Sequence, residues 1–171
     1  IMKQFLPWEY ERMKDCELTD DNGILAGRFR PCIRNPVLHL PSGRKVMGLG
    51  DAVIVNDPIT GQGSNNATMG AKHYFDAIMA RGNQPFDEAW MNQTFDALYN
   101  GYAEKVTRWT NSMLFPPPEY IVNMMGAATQ IPALASRLAN GFNDPRDYAN
   151  YWFDEESNKR AIAEAAAKGS K

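Results

Sequence analysis

Cysteine and histidine are scarce in this 171-residue chain, which has two of each. Cys16 and Cys32 are too few for a disulfide framework or a metal knuckle and read as reduced thiols. No cysteine or carboxylate stands at ligand spacing beside His39 or His73, which argues against a metal centre. Ser42 and Ser64 have no evident base, so no Ser-His-Asp arrangement assembles. Charge of one sign is also lacking: a net −2 gives no electrostatic reason to expect nucleic acid or an anionic membrane as partner. No apolar run approaches the roughly 18 to 20 residues that span a bilayer. The opening Ile1-Met2-Lys3-Gln4-Phe5 has neither the long apolar stretch nor the small-residue cleavage site of a signal peptide. These absences together lead us to expect a cytoplasmic location.

Present instead is an ordinary globular composition, 44% hydrophobic and 22% charged, in a length that suits one domain. The chain opens without an initiator methionine, amid Ile1, Met2, Phe5, Leu6 and Trp8, as though cut from something longer. Residues 1–22 read as a short helix or irregular segment. Strand character follows at residues 24–26 with Phe29, at 37–40 and at 46–50, with turn chemistry in Pro41-Ser42-Gly43. Beyond Asp57-Pro58 the pattern is helical. Ala67, Ala71, Tyr74, Phe75 and Ile78 predict the inner face of a helix over 67–80, stopped at Gly82. Met91, Phe95, Leu98, Tyr102, Val106, Trp109 and Met113 recur at steps of three or four and predict one long helix over 86–114. Pro116-Pro117-Pro118 ends it. Further helices are expected over 119–128, 132–139 and 155–168. Strands first and helices after predict an α+β fragment, and not a doubly wound sheet.

The chemistry is concentrated in residues 46–66, VMGLGDAVIVNDPITGQGSNN. An apolar strand delivers Gly48 and Gly50, which allow close backbone approach, and then the carboxylate of Asp51. Asp57-Pro58 opens a loop through Gly61-Gln62-Gly63 and Ser64-Asn65-Asn66 into a helix, whose N-terminus offers unpaired N–H groups and positive dipole to an anion. A carboxylate for hydroxyls beside an anion cradle suits a ligand with a polyol chain and a delocalised negative charge. Neither Gly48-x-Gly50 nor Gly61-x-Gly63 completes a dinucleotide fingerprint, since Val53 and Asn66 occupy the last position. A glycine-rich loop before a helix is more often only a turn, and a lone Asp51 more often a cap or a surface carboxylate. The residues alone therefore reach an anion-and-polyol site and stop there.

The run Gly50-Asp51, then Asp57-Pro58-x-x-Gly61-Gln62-Gly63-x-Asn65, resembles the second FAD motif of the flavoprotein monooxygenases. Thr107-Arg108-Trp109-Thr110-Asn111, Pro117-Pro118-Glu119, Phe142-Asn143-Asp144-Pro145-Arg146 and the aromatic run over 148–153 are similar to the oxygenase component of styrene and indole monooxygenases. The resemblance implies FAD, used as reduced FAD supplied by a separate flavin reductase, with oxygen and a small aromatic substrate that is epoxidised or hydroxylated. It implies that Gly50, Asp51, Asp57, Pro58, Gly61, Gln62, Gly63, Ser64 and Asn65 bind the cofactor, with Asp51 on the ribityl chain and the Gly61 loop facing the flavin ring through backbone donors. Pro58 and Ile59 would wall the substrate pocket. No side chain is assigned as catalytic, because the cofactor carries the chemistry. Arg108 and Asn111 are open to two readings, a reductase contact or a solvated face.

One departure from the family is large: the β-α-β unit with a complete G-x-G-x-x-G for the ADP half of FAD is absent from these residues. The resemblance thus divides the chain into the end of a substrate-binding region (1–22), the C-terminal half of an FAD-binding domain (23–82) and a C-terminal helical region (83–171). Such a portion depends on the remaining N-terminal part of the enzyme and should expose a broad apolar surface. The alternative is a non-catalytic fragment or helical interaction module that retains the flavin motif.

Overall fold

The computed structural model describes residues 1–23, 27 and 30–169. The strand expected at 24–26 and Phe29 therefore lies outside the described residues. Helices α1 (Met2–Phe5) and α2 (Pro7–Met13) open the chain and bury none of their residues. Two small antiparallel ladders follow. Strand β1 (Cys32–Ile33) pairs with β4 (Ile54–Val55), placing Cys32 opposite Val55. Strand β2 (Val37–His39) pairs with β3 (Lys45–Met47), placing Leu38 opposite Val46. The turn between β2 and β3 closes through Gly43, whose φ of +78° is open to glycine at no steric cost. The expected strand over 46–50 stops at Met47: Gly48 still donates to the carbonyl of Pro36 at 2.7 Å, but Pro36 has no N–H to return, and the chain turns across a helix.

That helix is α3 (Gly63–Arg81). It starts four residues earlier than the apolar pattern predicts, so Gly63-Ser64-Asn65 form its first turn and not a preceding loop. Its inner face is also rotated from the one expected. Asn66, Gly70 and Tyr74 are buried, whereas Phe75 is 62% and Ile78 46% exposed. The long helix expected over 86–114 is a single rod with a wide turn in it: α4 (Glu88–Leu98), a π turn (Tyr99–Ala103) and α5 (Glu104–Ser112). Asp87 caps α4 by accepting from the N–H of Trp90 at 2.8 Å. The chain ends with α6 (Glu119–Ala128), α7 (Pro132–Gly141), a 3-10 turn (Pro145–Asn150) and α8 (Glu155–Gly169). Helix makes up 62% and strand 6%, an α+β chain in which the ladders only edge a helical body.

Two apolar clusters hold it together. The smaller joins Val53 and Ile54 to Phe95, Tyr102, Ala103 and Val106, tying the strands to α4 and the π turn. The larger gathers Trp109, Ile121, Met124, Leu134, Tyr148, Tyr151 and Trp152 between α5, α6, α7 and α8. Trp109 stacks on Tyr148 with ring centres 4.3 Å apart, and Phe142 and Trp152 meet it edge-on. At Gly141 an added Cβ would lie 2.3 Å from the Tyr148 ring, so this helix end tolerates no side chain.

Candidate functional site

Residues 48 to 51 cross α3 towards its N-terminus, and the helix is small-faced where they cross. The Tyr74 hydroxyl donates to the carbonyl of Gly48 at 3.1 Å. Leu49 covers Gly70, where a Cβ would come within 2.9 Å of its side chain. Gly50 then lies over Ala67, its own virtual Cβ 3.5 Å from that of Ala67, in a left-handed conformation at φ +57° that favours glycine. A short 3-10 turn (Gly50–Ala52) follows, bringing Asp51 alongside the first turns of α3. Arg34 fixes that turn by donating to the main-chain oxygen of Asp51 at 2.7 Å. The Asp51 carboxylate is exposed and takes no hydrogen bond or ion pair among the described residues.

The loop before α3 is anchored differently. Asp57 accepts from the N–H of Ile59 at 2.9 Å and so caps the 3-10 turn Pro58–Thr60. Gly61 ends this turn at φ +64°, and its N–H donates back to Pro58 at 2.9 Å. Thr60 and Thr110 share a buried hydroxyl–hydroxyl bond of 2.7 Å. Gln62, only 2% exposed, donates through Nε2 to the carbonyl of Phe142 at 2.8 Å and accepts from Asn65 at 3.1 Å. Asn56 accepts from Thr107 at 3.0 Å. The loop is therefore shaped by its own turn contacts and bolted to α5 and to the end of α7.

What this leaves outward is specific. α3 has no side-chain cap, and its first internal hydrogen bond is from the N–H of Asn66 to Gln62. The N–H groups of Gln62, Gly63, Ser64 and Asn65 have no acceptor among the described residues. They meet the positive end of a 19-residue helix dipole, with Asp51 close by. Gly61 is not among these donors, since its N–H is already used. The Gln62 side chain is likewise spent internally, and only its main-chain N–H is available. Pro58 and Ile59 are exposed, Ile59 by 53%. Asn66, one turn into α3 and 6% exposed, keeps both polar atoms of its amide unpaired. Sequence reasoning gave no role to Arg34, Thr60, Asn66 or Thr110, although Thr60 and Asn66 lie within the stretch 46–66 and Thr110 within 107–111, both of which it singled out.

The remaining sequence candidates sit elsewhere. Arg108 lies with its guanidinium 4.0 Å from the centre of the Phe153 ring. His73 bonds the carbonyl of Thr94 at 2.9 Å, and His39 meets Glu88 at 3.1 Å. Cys16 and Cys32 are free thiols. Among the described residues no helix is long and apolar enough to cross a membrane. A cavity of about 480 Å³ between α7, the 3-10 turn after it and α8 includes none of residues 46–66.

No family model matches the chain. It is similar to the styrene monooxygenase StyA of Pseudomonas fluorescens, at 28% identity over 153 residues, and equally to that of another Pseudomonas species. In each case the similarity covers 82% of this chain and 33% of the relative. The chain thus spans about a third of the length of the curated relatives it matches. This similarity supports a distant relation to the flavoprotein monooxygenases.

Proposed function

We propose that this chain is the C-terminal portion of an FAD-dependent monooxygenase, and that it carries the flavin-ring half of the cofactor site. The observation behind this reading is the open N-terminus of α3 beside an unengaged carboxylate: free N–H groups at Gln62, Gly63, Ser64 and Asn65, and Asp51 next to Gly50, which lies over Ala67. These residues fit a flavin. The N–H groups suit a delocalised anion, Asp51 suits a hydroxyl-bearing chain, and Gly63, where an added Cβ would meet nothing within 4 Å, keeps the approach free of side chains.

When bound, reduced FAD would supply the activation of oxygen. The chain's own residues would hold and shield. Gln62 and Gly63 donate main-chain hydrogen bonds to the anionic edge, where preorganised dipoles need no reorganisation. Asp51 accepts from a ribityl hydroxyl. Pro58 and Ile59 present apolar surface that excludes water from the side where oxygen and an aromatic substrate meet. A flavin reductase would supply the reduced cofactor, and the ADP half would be gripped by the portion of the enzyme that the relatives have and these residues do not. The division at residues 22 and 82 into substrate-region end, flavin half and helical region belongs to the same proposal.

The test is anaerobic titration of reduced FAD into this chain combined with the N-terminal portion of a styrene monooxygenase, followed by oxygen and styrene or indole. Saturable flavin binding with oxygen transfer to the substrate supports the reading. Asp51→Ala should weaken reduced-FAD affinity by roughly ten- to a hundred-fold, the worth of one charge-assisted hydrogen bond. Product formed per bound flavin should stay close to the parent value. A complex that takes up no flavin overturns the proposal and leaves the helical interaction module standing.

A further inference from the structure

We propose that the cleft between the end of α5, the proline turn and α6 is a binding site for one small, uncharged aromatic molecule. It shares no lining residue with the flavin motif and does not depend on that reading.

Three observations carry it. The first is that every polar side chain in the lining is already spent. Ser112 donates to the carbonyl of Trp109 at 2.6 Å and accepts from the Trp152 indole N–H at 3.0 Å, while the Tyr120 hydroxyl donates to the carbonyl of Trp152 at 3.3 Å. Much of the backbone wall is spent as well: Pro117 and Pro118 have no N–H, and the N–H groups of Met113, Phe115 and Ile121 bond the carbonyls of Trp109, Ser112 and Pro118. An occupant thus finds no side chain free to pair with a charge or a hydrogen bond, and a charged one would lose hydration that no side chain replaces.

The second is size. The cleft holds about 130 Å³. An engineered apolar cavity of about 150 Å³ takes up benzene, so this volume corresponds to one ring with at most a short substituent. The third is the chemistry of the walls, which the thioethers of Met113 and Met125 line together with the rings of Trp152 and Phe153. Sulfur and ring edges of this kind favour an aromatic guest over an aliphatic one. The rim is accessible, with Phe115 71% and Met125 44% exposed, so a ligand reaches the cleft without unfolding of the core.

The experiment is a titration of the purified chain with toluene, and separately with benzoate, followed by the NMR signals of the Trp152 indole N–H and the Met113 and Met125 methyls. Toluene should give saturable shifts at these three groups with one-to-one stoichiometry, and benzoate none over the same range. Met125→Trp, which fills the cleft from an exposed position, should weaken toluene binding at least tenfold. Phe115→Ala, at the outermost rim, should weaken it several-fold with the chain still folded. The proposal is overturned if toluene shows no saturable binding to its solubility limit, if benzoate binds as well, or if both variants bind as tightly as the parent.

Discussion

Gln62 Nε2 donates to the carbonyl oxygen of Phe142 at 2.8 Å, joining the turn ahead of α3 to a residue eighty positions further along the chain. Gln62 is buried, so an apolar replacement would leave the Phe142 carbonyl and the Asn65 amide without their partner. Gln62→Leu should lower the unfolding free energy by about 1 to 3 kcal/mol. Asp51→Ala, at an exposed carboxylate with no partner, should stay within about 0.5 kcal/mol. Urea unfolding of both variants checks this. Equal losses would mean that Gln62 does not anchor the loop.

Gly61 and Gly63 look alike in sequence and should respond oppositely to alanine. An added Cβ meets no atom within 4 Å at either. Gly61, however, sits at φ +64°, where a side chain costs about 1 to 2 kcal/mol. Gly63 is the first residue of α3 with a negative φ, where alanine gains about 0.4 to 1 kcal/mol by restricting the unfolded chain. Thermal unfolding should therefore show Gly61→Ala below and Gly63→Ala above the parent. Gly63→Ala should nonetheless weaken flavin binding in the combined enzyme, because its methyl group points into the approach.

The Arg137–Asp147 pair predicts part of the acid limb of stability. Arg137 donates two hydrogen bonds to Asp147, at 2.8 and 2.9 Å. The guanidinium holds the Asp147 carboxyl below the usual aspartate value of 3.8. Since the folded value is depressed, the contribution is complete above the unfolded value and is lost as the pH falls below it, through the folded one. Asp147→Asn should flatten the fall in Tm on acidification below about pH 4, the ordinary aspartate range. A curve parallel to the parent's would rule out this pair as a source of the acid sensitivity.

The outward side of α3 bears Phe75, Ile78 and Met79, exposed by 62%, 46% and 65%. With Phe5 and Trp8 equally bare on α1 and α2, the chain should self-associate in isolation. Sedimentation velocity should show a concentration-dependent increase in size. Phe75→Glu together with Met79→Lys should suppress it without loss of helical circular dichroism. A monodisperse parent monomer at high concentration would show that these side chains need no cover.

How far the sequence foretold this arrangement depends on what holds each element. Helices α6 and α7 were legible because Pro118 and Pro132 mark their starts and an apolar stripe runs through them. The stripe from Met91 to Trp109 was also legible, and it is buried throughout. The inner face of α3 was legible at Tyr74 alone, because Asn66 and Gly70 form the rest of it and neither is a bulky apolar residue, while Phe75 and Ile78 face out. Periodicity assumes that apolar side chains point inward, and a helix whose apolar side stands open defeats that assumption. Ladders of two residues, such as Cys32–Ile33 against Ile54–Val55, are too short to have a pattern. At the candidate site, Asp51 and the glycine loop could be singled out from residue type. The bonds that place them, Arg34 to the Asp51 carbonyl, Thr60 to Thr110 and Gln62 to Phe142, join positions far apart in the chain and have no local signature.

The π turn at Tyr99–Ala103 makes the rod from Glu88 to Ser112 a phase shifter. Upstream, Phe95 keeps time with the strands; downstream, Trp109 and Thr110 keep time with the aromatic bundle and with Thr60. Each residue of an α-helix advances the face by about 100°. Deleting Gly101 would therefore turn everything beyond it by about that angle, swinging Thr110 out of reach of its partner while leaving both halves helical. The frame behind the flavin motif is in this sense clocked by one widened turn, and a change of chain length there would be felt at α3, which that turn's own residues do not form.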